Sequence, residues 1–191
     1  MQAQEKWTTA KLALTVVLGA VNGAVTTPIA AAWVALNAAF GVIGAAVFQP
    51  FIIFASMAGW LVPRPGVFLL SHLVSGIANW LTGDPSGGFA AVYWGVAGGL
   101  AGELAGLLYG WNRDKRTAIV LVAGLIYIPF TNVVTAILYG WDPTDSLFWI
   151  GAVIALVTIT LESTVPGIAL ARWLADSGLL RTIGVEAAQE A

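Results

Sequence analysis

The stretch 71–110, SHLVSGIANWLTGDPSGGFAAVYWGVAGGLAGELAGLLYG, reads as two apolar helices meeting at a hairpin tip, with polar groups set where hydrocarbon is expected. Asp84-Pro85 followed by Gly87-Gly88 marks the tip, because proline fixes φ and glycine opens positive φ. The helix after it carries Gly95, Gly99, Gly102, Gly106 and Gly110, spaced four, three, four and four. That spacing aligns them on one face, where a neighbouring helix can approach backbone to backbone. Glu103 lies inside the same run. A carboxylate at mid-membrane costs roughly 2.5–3.5 kcal/mol, so it is expected to be paired, protonated or facing a wet cavity.

The rest of the chain agrees with a bilayer as solvent. Of 191 residues, 59% are hydrophobic and 9% charged, against about 25% charged in soluble domains. Uncharged runs approach or exceed the roughly 20 residues that a spanning helix needs, and they lack the short alternation of barrel strands. The expected class is an all-α integral membrane protein, one domain over 1–191. Zero cysteines exclude disulfides and thiolate metal sites, and a net charge of −2 gives no sign of nucleic-acid binding.

Six spans are expected, at about 9–26, 41–62, 67–81, 89–110, 117–139 and 146–173, with 27–40 re-entering or extending the first. All eight cations fall at the N-terminus (Lys6, Lys11), after the second span (Arg64), after the fourth (Arg113, Lys115, Arg116) and in the C-terminal region (Arg172, Arg181). The alternate loops carry Asp84, Asp142 and Asp145. Six spans put all the cations on one side, so both termini are expected in the cytoplasm of a prokaryotic cell. A cleaved signal peptide ending near Ala30–Ala32 is disfavoured, since five remaining spans would sort the cations less well.

These anchors also gauge depth. Glu103 and Glu162 each lie ten residues before an arginine, and His72 eight after Arg64, which is about 12–15 Å at helical rise, near mid-membrane. Gln49, Asn79, Trp94 and Asn132 lie fifteen to nineteen residues from their anchors, about 22–28 Å away and just under the outer surface. Trp80, Tyr93 and Trp141 share that neighbourhood. Amides and aromatics there, above mid-depth ionisable groups, suit a pocket open outward for a flat polar heterocycle. The competing expectations are an interfacial aromatic belt and amides bonded between helices.

Other chemistries fit less well. No Gly-Lys dipeptide occurs, so the chain has no P-loop and no ATPase of its own. One histidine without cysteines makes a metal centre unexpected. His72, Glu103 and Glu162 leave open a proton-coupled carrier or channel, and Ser75 three residues after His72 leaves open an intramembrane serine protease.

Three motifs are similar to one family: PRPG at 63–66, S-x7-N-W-L-x-G-D-P-S-G at 71–87 and G-x3-G-L-A-G-E at 95–103. They resemble the YkoE-type substrate-binding S component of energy-coupling-factor (ECF) vitamin transporters. The resemblance implies a six-helix protein that captures thiamin or its hydroxymethylpyrimidine precursor from outside. It implies a transmembrane coupling subunit and two cytoplasmic ATPases as partners, which hydrolyse the ATP, and no cofactor on this chain. Gln49, His72 and Asn79 stand where the family carries acids, which favours a neutral pyrimidine or another vitamin, with Glu103 as candidate for an aminopyrimidine hydrogen bond or for a charge partner. Small residues on the first helix, Gly19, Ala20, Gly23 and Ala24, are then the expected docking face for the coupling subunit.

Overall fold

The structure, a computed structural model, describes residues 6–85 and 89–183; positions 86–88 of the hairpin tip and the tail beyond 183 lie outside the described residues. The helices are α1 (Thr9–Ala46), α2 (Ile53–Leu61), α3 (Val67–Leu81), α4 (Ala90–Leu108), α5 (Arg116–Tyr139) and α6 (Ser146–Asp176). α1, α4, α5 and α6 are long and apolar enough to cross a membrane, and α3 is a shorter apolar helix. The chain is a multi-pass membrane protein.

The first two expected spans divide differently. α1 continues through 27–40 and ends at Ala46, a run of 38 residues or about 57 Å. Pro28 sits within it, and Gly41 breaks it with φ 61° and ψ −150°, a conformation open to glycine. The expected second span is helical only over the nine residues of α2. Residues 48–52 are neither helix nor strand. Gln49-Pro50 accounts for the interruption: the residue before proline is pushed out of the α region, and proline itself has no N–H to give.

α3 packs between α1 and α4, α4 against α5, α5 against α6, and α6 returns to α1. α2 sits inside that ring, touching α1, α3, α5 and α6. Its residues from Ala55 to Leu61 are all buried, as expected of a helix apolar all round. Met57, Trp60 and Leu61 form a core with Phe68, Trp111, Ile119, Val120 and Ile168. α2 therefore fills one half of the ring, the half where Arg116 lies over the Trp60 ring at 3.5 Å and Arg64 over Trp7 at 4.4 Å. Among the described residues the other half has no central helix.

The glycines close this bundle from within. A Cβ on Gly95, Gly99 or Gly102 would strike His72, Leu69 or Phe68, all on α3, whereas one on Gly106 would meet the Trp111 ring and one on Gly110 nothing, so only the first three glycines of the expected ladder are the α3 contact surface. Gly19 and Gly23 behave alike: a Cβ would meet the Ser71 carbonyl from Gly19 and the Ser75 carbonyl from Gly23. The expected docking face is corrected at these two positions, which are buried against α3. Ala20 is half-buried and Ala24 exposed. Gly23→Val should lower the melting temperature in detergent, since overpacking costs about 1–3 kcal/mol, whereas Ala24→Val should leave it unchanged. Equal melting of the two variants would contradict this packing.

Glu103 is also a packing device. From α4 its carboxylate accepts the backbone N–H groups of Gly66 (2.9 Å), Phe68 (3.1 Å) and Leu69 (3.1 Å). It caps the start of α3, where helical N–H groups lack partners and the dipole favours a negative charge.

Candidate functional site

The vacant half of the ring holds a cavity of about 110 Å³. One water fills about 10–15 Å³ on this measure, so the space suits several waters or one small ring. α1, α3, α4, α5 and α6 all contribute lining residues, as do the 49–52 segment and Trp141 after α5.

Aromatic rings frame it. Trp33 of α1 is the hub, with ring centroids 6.5 Å from Phe51, 6.4 Å from Trp94, 5.5 Å from Tyr139 and 6.2 Å from Trp141. Trp94 also stacks on Tyr139, 6.1 Å apart at 18°, and its Nε1 donates to Thr135 Oγ1 at 3.2 Å.

The polar lining is made of amides, hydroxyls and one imidazole. Asn79 Oδ1 accepts from the Thr27 hydroxyl at 2.8 Å. Asn132 lines the cavity and its amide makes no hydrogen bond among the described residues. His72 Nδ1 lies 3.0 Å from the Phe68 carbonyl. A carbonyl only accepts, so Nδ1 carries the proton, and a neutral ring keeps its lone pair on Nε2. That nitrogen is buried without a hydrogen-bond partner among the described residues.

The 49–52 wall is main chain held by side chains. Gln49 N–H donates to Glu162 Oε2 at 2.6 Å, and Ile52 N–H to Ser163 Oγ at 3.1 Å. Ser163 in turn donates to the Gln49 carbonyl at 2.7 Å. On the other side, Asn22 Nδ2 donates to the Phe51 carbonyl at 2.8 Å, and Asn22 Oδ1 accepts the Phe54 N–H at 3.0 Å.

Of the residues expected from sequence, Gln49, Asn79, Trp94, Asn132 and Trp141 line this cavity, and so does His72. Trp80 and Tyr93 do not. They are 43% and 55% exposed and pack on Phe89 at 5.2 and 5.8 Å. Consecutive helical residues diverge by about 100°, so Asn79 and Trp94 facing inward turn Trp80 and Tyr93 outward. Glu103 is corrected too, since its oxygens go to the α3 main chain. Among the described residues no hydrogen bond links His72, Glu103 and Glu162, so the two acids serve main chain and form no relay with the imidazole. Ser75 Oγ accepts from Asn22 Nδ2 at 2.9 Å while His72 bonds Phe68, so the nucleophile–base pair of a protease is not made.

Sequence reasoning missed Trp33, Asn22, Tyr127 and Tyr139. The available signals were Asn22 four residues before Thr26, and Thr131 and Thr135 a helical turn apart beside Asn132.

The family model for the ABC-type cobalt transport system, permease component, matches residues 10–130. The chain belongs to that family. A solved structure described as "Crystal structure of an S-component of ECF transporter" shares its fold, with a TM-score of 0.83 and 22% identity over 93% of this chain and 90% of that one. No curated protein matches the chain. As a member of a transport-system family with an S-component fold, the protein is a transport component and not an enzyme.

Proposed function

We propose that this chain is the membrane-embedded substrate-binding subunit of an ECF-type importer, taking up thiamin or hydroxymethylpyrimidine from outside. One observation carries the reading: a ring-sized cavity framed by Trp33, Trp94 and Trp141, with Tyr139 packed against all three rings and with amides, hydroxyls and one imidazole for polar contact. Among the described residues its lining contains no Asp, Glu, Lys or Arg. Such a site binds flat heterocycles by stacking and directional hydrogen bonds. The family description names cobalt, but these donors suit a bare transition-metal ion poorly. Among the described residues no three His, Cys, Asp or Glu gather, and cobalt ligation by protein draws on such groups. The neutral lining favours an uncharged pyrimidine over a cation.

In this reading the chain crosses the plasma membrane six times. The 48–52 segment and α2 together make the second crossing, and both termini are cytoplasmic. A transmembrane coupling subunit and two ATPases would supply the energy, since the chain has no P-loop of its own.

Equilibrium binding of thiamin and hydroxymethylpyrimidine to the purified chain tests the proposal. Trp94→Ala and Asn132→Ala should weaken binding by about tenfold or more, the loss expected for one stacked ring or one buried hydrogen bond. The outward-facing Trp80→Ala and Tyr93→Ala should bind as wild type. The proposal fails if neither compound binds, or if the purified chain alone drives uptake into liposomes from a pH gradient.

A further inference from the structure

Two carboxylates in this bundle do the same chemistry in different places. Glu103 holds the start of α3, and neither it nor the N–H groups it accepts belong to residues lining the cavity. Glu162 does not line the cavity either, but the N–H it accepts belongs to Gln49, which does.

The local structure of α6 is arranged around that contact. Residues Thr160–Thr164 form a π turn, which inserts a residue into the helix and re-aims side chains, a feature frequent at functional sites. In a regular helix, adjacent side chains diverge by about 100°. Here adjacent Glu162 and Ser163 both reach the 49–52 stretch. The Ser163 hydroxyl is already occupied, accepting from Ile52 and donating to Gln49. The Gln49 N–H is left to Glu162. Because 48–52 is not helical, it cannot satisfy these groups itself, and hydrocarbon offers no substitute.

We propose that Glu162 is a positioning residue for the cargo site: by accepting the Gln49 N–H it fixes the wall that carries Gln49 and Phe51, and through them the affinity for cargo. The proposal rests on reading the cavity as the cargo site. Displacement of the wall reaches the aromatic frame as well, since Phe51 lies edge-on to Trp33.

The test compares Glu162→Ala, Glu162→Gln and Glu103→Ala in the full chain, by deuterium exchange without ligand and by binding of thiamin and hydroxymethylpyrimidine. In Glu162→Ala the 47–52 amides should exchange about tenfold faster or more, as for a wall released to open locally. Affinity should fall by about tenfold or more, since the orphaned N–H disfavours the bound geometry. Glu162→Gln keeps an acceptor oxygen and should stay within about threefold of wild type on both readouts. Glu103→Ala should lower the melting temperature yet leave the wall and the affinity unchanged. Unchanged exchange at 47–52 in Glu162→Ala overturns the proposal, and so does a loosened wall that binds with wild-type affinity. If alanine prevents folding, Glu162→Asp withdraws the acceptor by one methylene and repeats the comparison. Should the wild type bind neither compound, the cargo reading fails, while the exchange arm still decides whether Glu162 holds the wall.

Discussion

Asn22→Leu is expected to destabilise the protein more than any other single exchange of a polar side chain in the bundle. The two side chains are close in size, so the change isolates the polar contribution. Asn22 gives one N–H to the Phe51 carbonyl and another to Ser75 Oγ, and its oxygen takes the Phe54 N–H. Phe54 is in the first turn of α2, whose N–H groups lack helical partners, and Ile52 at the N-cap makes no side-chain cap hydrogen bond. Asn22 thus caps α2 from α1, and it closes the backbone of the 48–52 crossing as well. Leucine strands the Phe54 N–H and leaves the Phe51 carbonyl with only the longer bond from the Thr26 hydroxyl, 3.4 Å, and an unsatisfied buried group costs about 1–3 kcal/mol. For a chain of this size that corresponds to a fall in melting temperature on the order of 10 °C. Thermal unfolding in detergent reads it directly. A variant melting within about 2 °C of wild type would mean that lipid or water satisfies these groups, against the burial argument.

The sequence carried the depth of the site better than its direction. Helical rise is uniform, so counting from Arg64, Arg113 and Arg116 put Gln49, Asn79, Trp94 and Asn132 in one stratum, and these four do line one cavity. Rotation about each helix is fixed by packing, and one residue's error turns a side chain from the cavity to lipid, as with Trp80 and Tyr93. Trp33 was illegible for another reason. It lies in the 27–40 stretch whose course the sequence leaves open between re-entering and extending the first span, and α1 runs through it past Pro28. A helix in a bundle tolerates proline where neighbouring groups satisfy the freed carbonyls. Glu103 reads as a buried acid needing a partner, but its partners are main-chain N–H groups, which every residue except proline owns and no motif marks. The non-helical 48–52 wall had one visible signal, Gln49-Pro50. That signal says where a helix stops and not what holds the chain beyond it.

Trp33→Ala should have the largest effect on the site itself. Trp33 is 8% exposed and touches rings from four other parts of the chain: Phe51 in the wall, Trp94 on α4, Tyr139 at the end of α5 and Trp141 beyond it. Aromatic pairs of this geometry contribute about 0.5–1.5 kcal/mol each beyond buried area. Truncating a buried tryptophan to alanine costs about 3–5 kcal/mol where the surroundings cannot collapse. They are held open here: one side of the ring is the cavity, and the wall that carries Phe51 is pinned through Asn22 and Glu162. The expected result is a cavity enlarged by the missing indole, with Trp94 and Tyr139 no longer braced against it. Affinity for a flat ring should then fall by about a hundredfold, equivalent to about 2.7 kcal/mol. Trp33→Phe should recover most of the thermal stability and only part of the affinity, because a smaller ring restores packing on Tyr139 before it restores reach to both Trp94 and Trp141. Calorimetric titration of the three proteins with hydroxymethylpyrimidine, alongside their melting curves, separates the two effects. If Trp33→Ala binds as tightly as wild type, the aromatic frame is a wall of the bundle and the cargo is recognised by the amides beneath it.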